Sequence, residues 1–333
     1  MTTAPLCAIA STYRAPAWLP GGHPQTIYPF LLARAGVRYR RERVETADGD
    51  FWDFDWLDAG DASATRAVTT PLVVLFHGLE GGSESHYARA LMAHLAGIGW
   101  HGVVPHFRGC GGELNRKPRA YHSGDHEEIG ALLAAVRNRM PHASLYAVGM
   151  SLGGSALLNW LGRAGPDAGR VLHAAAAVST PLDLCAAGVA IGQGMNRIYT
   201  RHFLQTLKPK SMAMARRFPG LLDEARLGSV RSMYEFDDIV TAPLHGFTGT
   251  PDYWRRASSK PWLNEVAVPT LVLNARIDPF VPWASLPTAV DVSRHVLLEQ
   301  PDPGGHAGFP AGAFPGRLEW LPTRLLQFFQ HGD

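Results

Sequence analysis

Ser151 stands in Gly149-Met150-Ser151-Leu152-Gly153, a GxSxG pentapeptide. A serine in that setting is a candidate nucleophile for acyl transfer. The pattern occurs by chance in roughly one chain in ten of this size, so its surroundings decide its meaning. Leu145-Tyr146-Ala147-Val148 precedes it as a strand-like run, and a helix-compatible run follows from Leu152. A strand that turns sharply into a helix presents a serine Oγ on a strained turn. Gly149, Gly153 and Gly154 let that turn tighten and let helix and strand approach closely.

A serine hydroxyl needs a base, and the base needs an acid to orient it. On a strand–turn–helix scaffold of this kind the chain order is serine, acid, histidine. Asp278, in Asn274-Ala275-Arg276-Ile277-Asp278-Pro279, follows a strand-like run, and Pro279 disfavours helix at that position. It is the predicted acid, with Asp183 after the preceding strand as the alternative; Asp302 lies too near the histidine in sequence. Beyond Asp278 the histidines are His295, His306 and His331. His295 opens an apolar run and His331 is almost terminal. His306, in Pro303-Gly304-Gly305-His306-Ala307-Gly308, sits on a loop that can reach back over the sheet, and is the predicted general base. Two backbone amides must face the developing oxyanion. Leu152 supplies one, and Leu79 in His77-Gly78-Leu79-Glu80-Gly81-Gly82 is chosen for the other. His77 reads as a brace for that loop.

These residues need a sheet to hold them. Short apolar runs at 71–76, around Val103-Val104, and at 145–148, 171–178, 270–274 and 295–298 alternate with helical spacing at 84–97, 125–139 and 152–163. Strands buried on both faces have this composition, and helices between them imply a parallel sheet. Residues 40–44 and 51–56 read as a hairpin turning at Asp48-Gly49. Residues 1–36 read as an ordered leader, and 317–330 as a closing amphipathic helix. Residues 183–262 carry a helical, Met- and Arg-bearing segment where a short crossover would serve. The predicted organisation is therefore leader and first part of the core at 1–182, a helical cap at 183–262, and the rest of the core at 263–333.

The chain has 333 residues, 46% hydrophobic and 18% charged, with a formal net charge of +2. That describes a well-buried globular protein and argues against nucleic-acid binding, which needs a concentrated basic face. Cys7, Cys110 and Cys185 form no CxxC pair, so neither zinc knuckle nor disulfide framework is expected. No basic, apolar signal segment opens the chain and no run spans a bilayer. The expectation is a cytoplasmic protein without metal or organic cofactor. Cys110, in a Gly-rich turn, reads as a small turn residue. His122, Asp125 and His126 read as a solvated helix start; a metal-dependent hydrolase built on them would be inactivated by chelation. Arg197, Arg201, Lys208, Lys210, Arg216 and Arg217 read as a solvated basic face on the cap, with peripheral lipid contact left open. The sequence sets no oligomeric state.

His77-Gly78-Leu79-Glu80-Gly81, Arg108-Gly109-Cys110-Gly111-Gly112, the Ser151 motif and Gly304-Gly305-His306-Ala307-Gly308-Phe309 together resemble the YheT-like α/β-hydrolases. These are bacterial relatives of plant EMB-type and animal abhydrolase-domain lipases. The leader Gly21-Gly22-His23-Pro24-Gln25-Thr26 is similar to that family's N-terminal signature, so the likeness runs from about residue 16 to 330. The resemblance implies an α/β-hydrolase fold, the same Ser151, Asp278 and His306 positions, and carboxylester or lipid-ester hydrolysis. The animal members carry an N-terminal membrane anchor, which is not expected here. The expected substrate is a small ester with an apolar, short- to medium-length acyl chain. An acyltransferase or thioesterase using the same residues, and a non-catalytic binding protein on the same scaffold, are the competing expectations.

Overall fold

The computed structural model describes residues 8–32, 36–57 and 69–332; Cys7 lies outside them. The leader contributes a strand, β1 (Ala8–Ile9), and two short helices, α1 (Gly22–Ile27) and α2 (Pro29–Leu32). The hairpin follows as β2 (Tyr39–Glu45) and β3 (Phe51–Leu57), paired antiparallel from Tyr39–Leu57 to Glu45–Phe51. Strands and helices then alternate: β4 (Leu72–Phe76), α3 (His86–Ile98), β5 (His101–Pro105), α4 (His126–Arg139), β6 (Leu145–Met150), α5 (Leu152–Ala164) and β7 (Ala174–Val178). Next come α6 (Leu184–Ile191), α7 (Arg197–Arg217), α8 (Glu224–Ser229), α9 (Met233–Phe236), α10 (Ala242–Leu244) and α11 (Thr250–Ala257). The chain closes with β8 (Thr270–Leu273), β9 (Val296–Glu299) and α12 (Trp320–His331).

The nine strands lie in the order β1-β9-β8-β7-β6-β4-β5-β3-β2. Pairs from β1 to β5 are parallel, and β3 joins β5 and β2 antiparallel. The apolar composition of β4 follows from its two buried faces. Leu72, Val74 and Phe76 point into the cluster with Ile129 and Leu133 of α4 and Leu157 of α5. Val73 and Leu75 point the other way, onto Leu91 and Leu95 of α3 and Leu325 of α12. Each such fully buried side chain contributes roughly 1.5–3 kcal/mol, so a polar residue on either face would be costly. This is the expected α/β-hydrolase architecture.

The structure departs from the sequence expectation at β7 and in the leader. β7 begins at Ala174 rather than 171, because the Val171 and Leu172 amides bond back to Ala168 O at 3.0 and 2.9 Å and complete a helical turn. The leader is more than packing: β1 extends the sheet beyond β9.

β7 and β8 are parallel neighbours, yet six helices separate them. Leu204, Leu207, Leu227, Phe236 and Val240 bury one another in a cluster of their own. A π-helical turn, Asp237–Thr241, links α9 to α10 and carries the buried Asp237. Of the described helices, none is long and apolar enough to cross a membrane.

Candidate active site

β6 delivers Ser151 at its carboxyl end with φ 52° and ψ −119°, a conformation that residues with side chains rarely adopt. The turn holds because Ser151 N–H donates to Val178 O of the neighbouring strand at 2.8 Å. It also needs close approach. A Cβ at Gly153 would lie 2.5 Å from the carbonyl oxygens of Phe76 and His77. Helix α5 therefore abuts the end of β4, which brings the loop after β4 against the serine; a Cβ at Gly78 would sit 3.2 Å from Ser151 Cβ.

His306 Nε2 lies 2.9 Å from Ser151 Oγ, and its Nδ1 lies 2.8 Å from Asp278 Oδ2. The other carboxylate oxygen of Asp278 accepts from Phe280 N–H at 2.8 Å. With Asp278 buried and both oxygens engaged, Nδ1 carries the proton and Nε2 is left to accept from the serine hydroxyl. Phe280 tilts over the imidazole, ring centroids 4.2 Å apart.

The leader supports this histidine. His306 N–H donates to Thr26 Oγ1 at 2.8 Å, and the Thr26 hydroxyl donates to Gly22 O at 2.7 Å. Ala307 N–H donates to Ser179 Oγ at 3.0 Å. Sequence reasoning missed Thr26 and Ser179 as supports, although the polar character of Gly22-His23-Pro24-Gln25-Thr26 hinted that this leader does more than pack.

The alternative acids are engaged elsewhere. Asp183 caps α6, accepting from the Cys185 and Ala186 amides at 2.9 and 3.1 Å. Asp302 is exposed beside Arg276. His295 lies beside Arg294, and His331 ends α12 in solvent.

In the loop after β4 every neighbouring amide is occupied. Gly78 N–H donates to Tyr87 Oη at 3.0 Å, Glu80 N–H to Tyr121 Oη at 2.7 Å, and Gly81 N–H to Gly78 O at 3.0 Å. Among the described residues, the Leu79 and Leu152 amides have no acceptor. Both residues line the same cavity as Ser151 and His306. His77 braces the loop as expected: Nδ1 donates to Gly78 O at 2.8 Å and Nε2 accepts from Phe107 N–H at 3.1 Å. Burial, with His106 nearby, pushes its pKa down to about 3, so it stays neutral.

The cavity measures about 190 Å³. Leu184, Ile191, Leu207, Met214, Val240 and Trp254 from the 183–262 segment give it an apolar wall. Within that wall Asp237 is buried between the Thr241 hydroxyl and the Trp254 indole N–H, at 2.7 and 2.8 Å.

Two readings of polar residues are corrected, the second in part. The region of His122 and Asp125 is buried, not solvated: His122 packs on His245 with ring centroids 4.4 Å apart, and Asp125 caps α4 beneath Arg119. No group of three or more metal-capable side chains occurs among the described residues. The basic face on the 183–262 segment divides in two. Arg197, Arg201, Arg216 and Arg217 are exposed as expected, Arg217 also donating to Asn115 O, but Lys210 turns inward to Glu80 and Lys208 donates to Gly228 O and Val230 O. Burial pushes the Cys110 thiol up to about 12, which leaves it inert.

A serine on a strained turn after a parallel strand, facing a histidine on the loop after the last strand, defines a class. The family model described as "alpha/beta hydrolase fold" matches residues 71–313, and the chain belongs to that family. Within it, the chain is similar to "Putative esterase YheT" of Escherichia coli K12, 38% identical over 307 residues that cover 91% of this chain and 88% of the relative. It is 30% identical over 326 residues to human "Phospholipase ABHD3", covering 97% and 79%. The YheT-like resemblance expected from the motifs therefore holds. Among solved structures, the Pyrococcus furiosus esterase Pf2001 shares the fold, with a TM-score of 0.56, 16% identity, and coverage of 89% and 91%.

Proposed function

We propose that the protein is a serine carboxylesterase acting through an acyl-enzyme on Ser151. One observation carries this reading: the unbroken line Ser151–His306–Asp278, at 2.9 and 2.8 Å, beside two amides left without acceptors. Ser151 Oγ attacks the ester carbonyl while His306 Nε2 takes its proton. The carbonyl oxygen becomes an oxyanion held by the Leu79 and Leu152 N–H groups. Asp278 stabilises the imidazolium, which returns the proton to the departing alkoxide. Water, deprotonated by His306, then attacks the acyl carbonyl, and the acid leaves with Ser151 restored. No step requires a metal or an organic cofactor.

Residues 183–262 act in this reading as a cap whose apolar wall receives the acyl chain. The esterase and phospholipase names of its relatives support an ester substrate. The apolar lining from Leu184, Ile191, Leu207 and Val240 suits an acyl chain of short to medium length. The test is labelling with a fluorophosphonate probe alongside a chain-length series of p-nitrophenyl esters. Wild type should be labelled and Ser151→Ala should not. Equal labelling of the two, or a preference for palmitate over butyrate and octanoate, defeats the respective half of the proposal.

A further inference from the structure

Glu80 follows Leu79 and has φ 55°, a left-handed backbone that a residue bearing a side chain seldom adopts. Three contacts hold it there. Its N–H donates to Tyr121 Oη at 2.7 Å, and the Tyr121 hydroxyl donates to Glu80 Oε1 at 3.0 Å. Oε2 accepts no hydrogen bond among the described residues and is compensated by one cation, Lys210 Nζ, at 2.8 Å. The carboxylate is nearly buried, its side chain 8% exposed, so that cation matters.

Lys210 belongs to α7, which lines the cavity, and no motif in the sequence links it to the loop after β4. On the other flank of Leu79, the Gly78 carbonyl accepts from both His77 Nδ1 and Gly81 N–H. A peptide unit is planar. Pinning Gly78 O on one side and the Glu80 turn on the other leaves the Leu79 N–H a single direction.

We propose that Lys210 is a positioning residue for the oxyanion hole: by holding the Glu80 carboxylate it fixes the turn that aims the Leu79 amide. The α7 helix then does more than wall the acyl chain, because the donor is fully ordered only while α7 is seated. This rests on the esterase reading above, with Leu79 as a donor. A misaimed donor weakens stabilisation of the transition state more than binding of the ester.

The experiment measures kcat and KM on the neutral ester p-nitrophenyl butyrate for Lys210→Met, Glu80→Gln, the double variant and Lys210→Arg. Thermal unfolding is followed in parallel. Outright loss of such a donor costs about 10²–10³ in kcat, so a donor left in place but loosened should cost about tenfold, with KM changed less than about twofold. Because the two residues act as one unit, the double variant should be no slower than the slower single, and Lys210→Arg should recover most of the rate. Unchanged kcat, a rise confined to KM, or losses that multiply in the double variant overturns the proposal. Should Lys210→Met fail to fold, Glu80→Gln carries the same test, since it keeps the side-chain volume. Fluorophosphonate labelling separates the two levels: an unlabelled wild type sinks the esterase reading and this one with it. A labelled, active wild type with indifferent Lys210 and Glu80 variants sinks this proposal alone.

Discussion

Replacing Thr26 by valine keeps the shape of the side chain and removes its oxygen. The buried His306 N–H then loses its acceptor at 2.8 Å, and the Gly22 carbonyl loses a donor. A buried donor left unsatisfied costs about 1–3 kcal/mol. That cost can appear in two places. If the loop stays put, it lowers stability. With an unfolding entropy of about 2.1 cal/mol/K per residue, about 0.7 kcal/mol/K for 333 residues, Tm falls by about 1.5–4 °C. If the loop shifts to find water, His306 leaves its place 2.9 Å from Ser151 Oγ, and the same energy becomes about a 5- to 150-fold loss in kcat/KM. The loop is tightly held by Ser179, Asp278 and Phe280, so both effects are expected, each partial. The assay is kcat/KM on p-nitrophenyl butyrate with thermal unfolding, for Thr26→Val against Thr26→Ser, which retains the oxygen. Thr26→Ser should behave as wild type. A Thr26→Val protein with wild-type kcat/KM refutes the argument that the leader positions the imidazole, whatever its Tm.

Three further outcomes follow from the same geometry. Asp278→Asn should lower kcat by about 10³–10⁴-fold while fluorophosphonate labelling slows in proportion; a loss below about tenfold would point to a different orienting acid. Burial pushes Asp237 up to about 6, above the roughly 3.9 of an unfolded aspartate. The folded state therefore retains that proton longer, and ionisation subtracts stability as pH rises from about 4 through 6. Asp237→Asn should accordingly raise Tm at pH 8 and make no difference at pH 4; an equal effect at both pH values would show the shift is absent. Iodoacetamide at pH 8 should modify exposed Cys185 and spare Cys110, with ester hydrolysis intact; loss of activity coupled to Cys110 modification would contradict its inert role.

Much of the sheet was legible because a strand covered on both faces has no room for polar residues. Leu72–Phe76 and Leu145–Met150 announce themselves that way. β1 could not be read, since Ala8 and Ile9 become a strand only by pairing with Leu298 and Glu299, some 290 residues away in sequence. The buried state of His122 and Asp125 was misjudged for a related reason. Their local spacing suggests a helix start, and it is Tyr253 and His245 from the distant helical segment that cover His122, while Arg119 lies over Asp125.

The candidate site divides along the same line. Ser151, Asp278 and His306 could be chosen because each sits at the carboxyl end of a strand or on the loop beyond it, where chain order alone restricts the choices. Thr26 and Lys210 could not, because nothing local to either of them names its distant partner. Thr26 acts on His306 across 280 positions, and Lys210 reaches Glu80 from a helix whose sequence looks like an ordinary basic surface. Both join a segment outside the alternating core to a loop that must hold one conformation. Such contacts are worth most where the backbone is already strained, as at Glu80 and Ala307, with φ 55° and 63°, since a strained loop persists only when its surroundings over-determine it. On these proposals, the leader and the helices between β7 and β8 reach into the chemistry through backbone geometry. It follows that substitutions in either segment can change turnover without touching a group that meets the substrate.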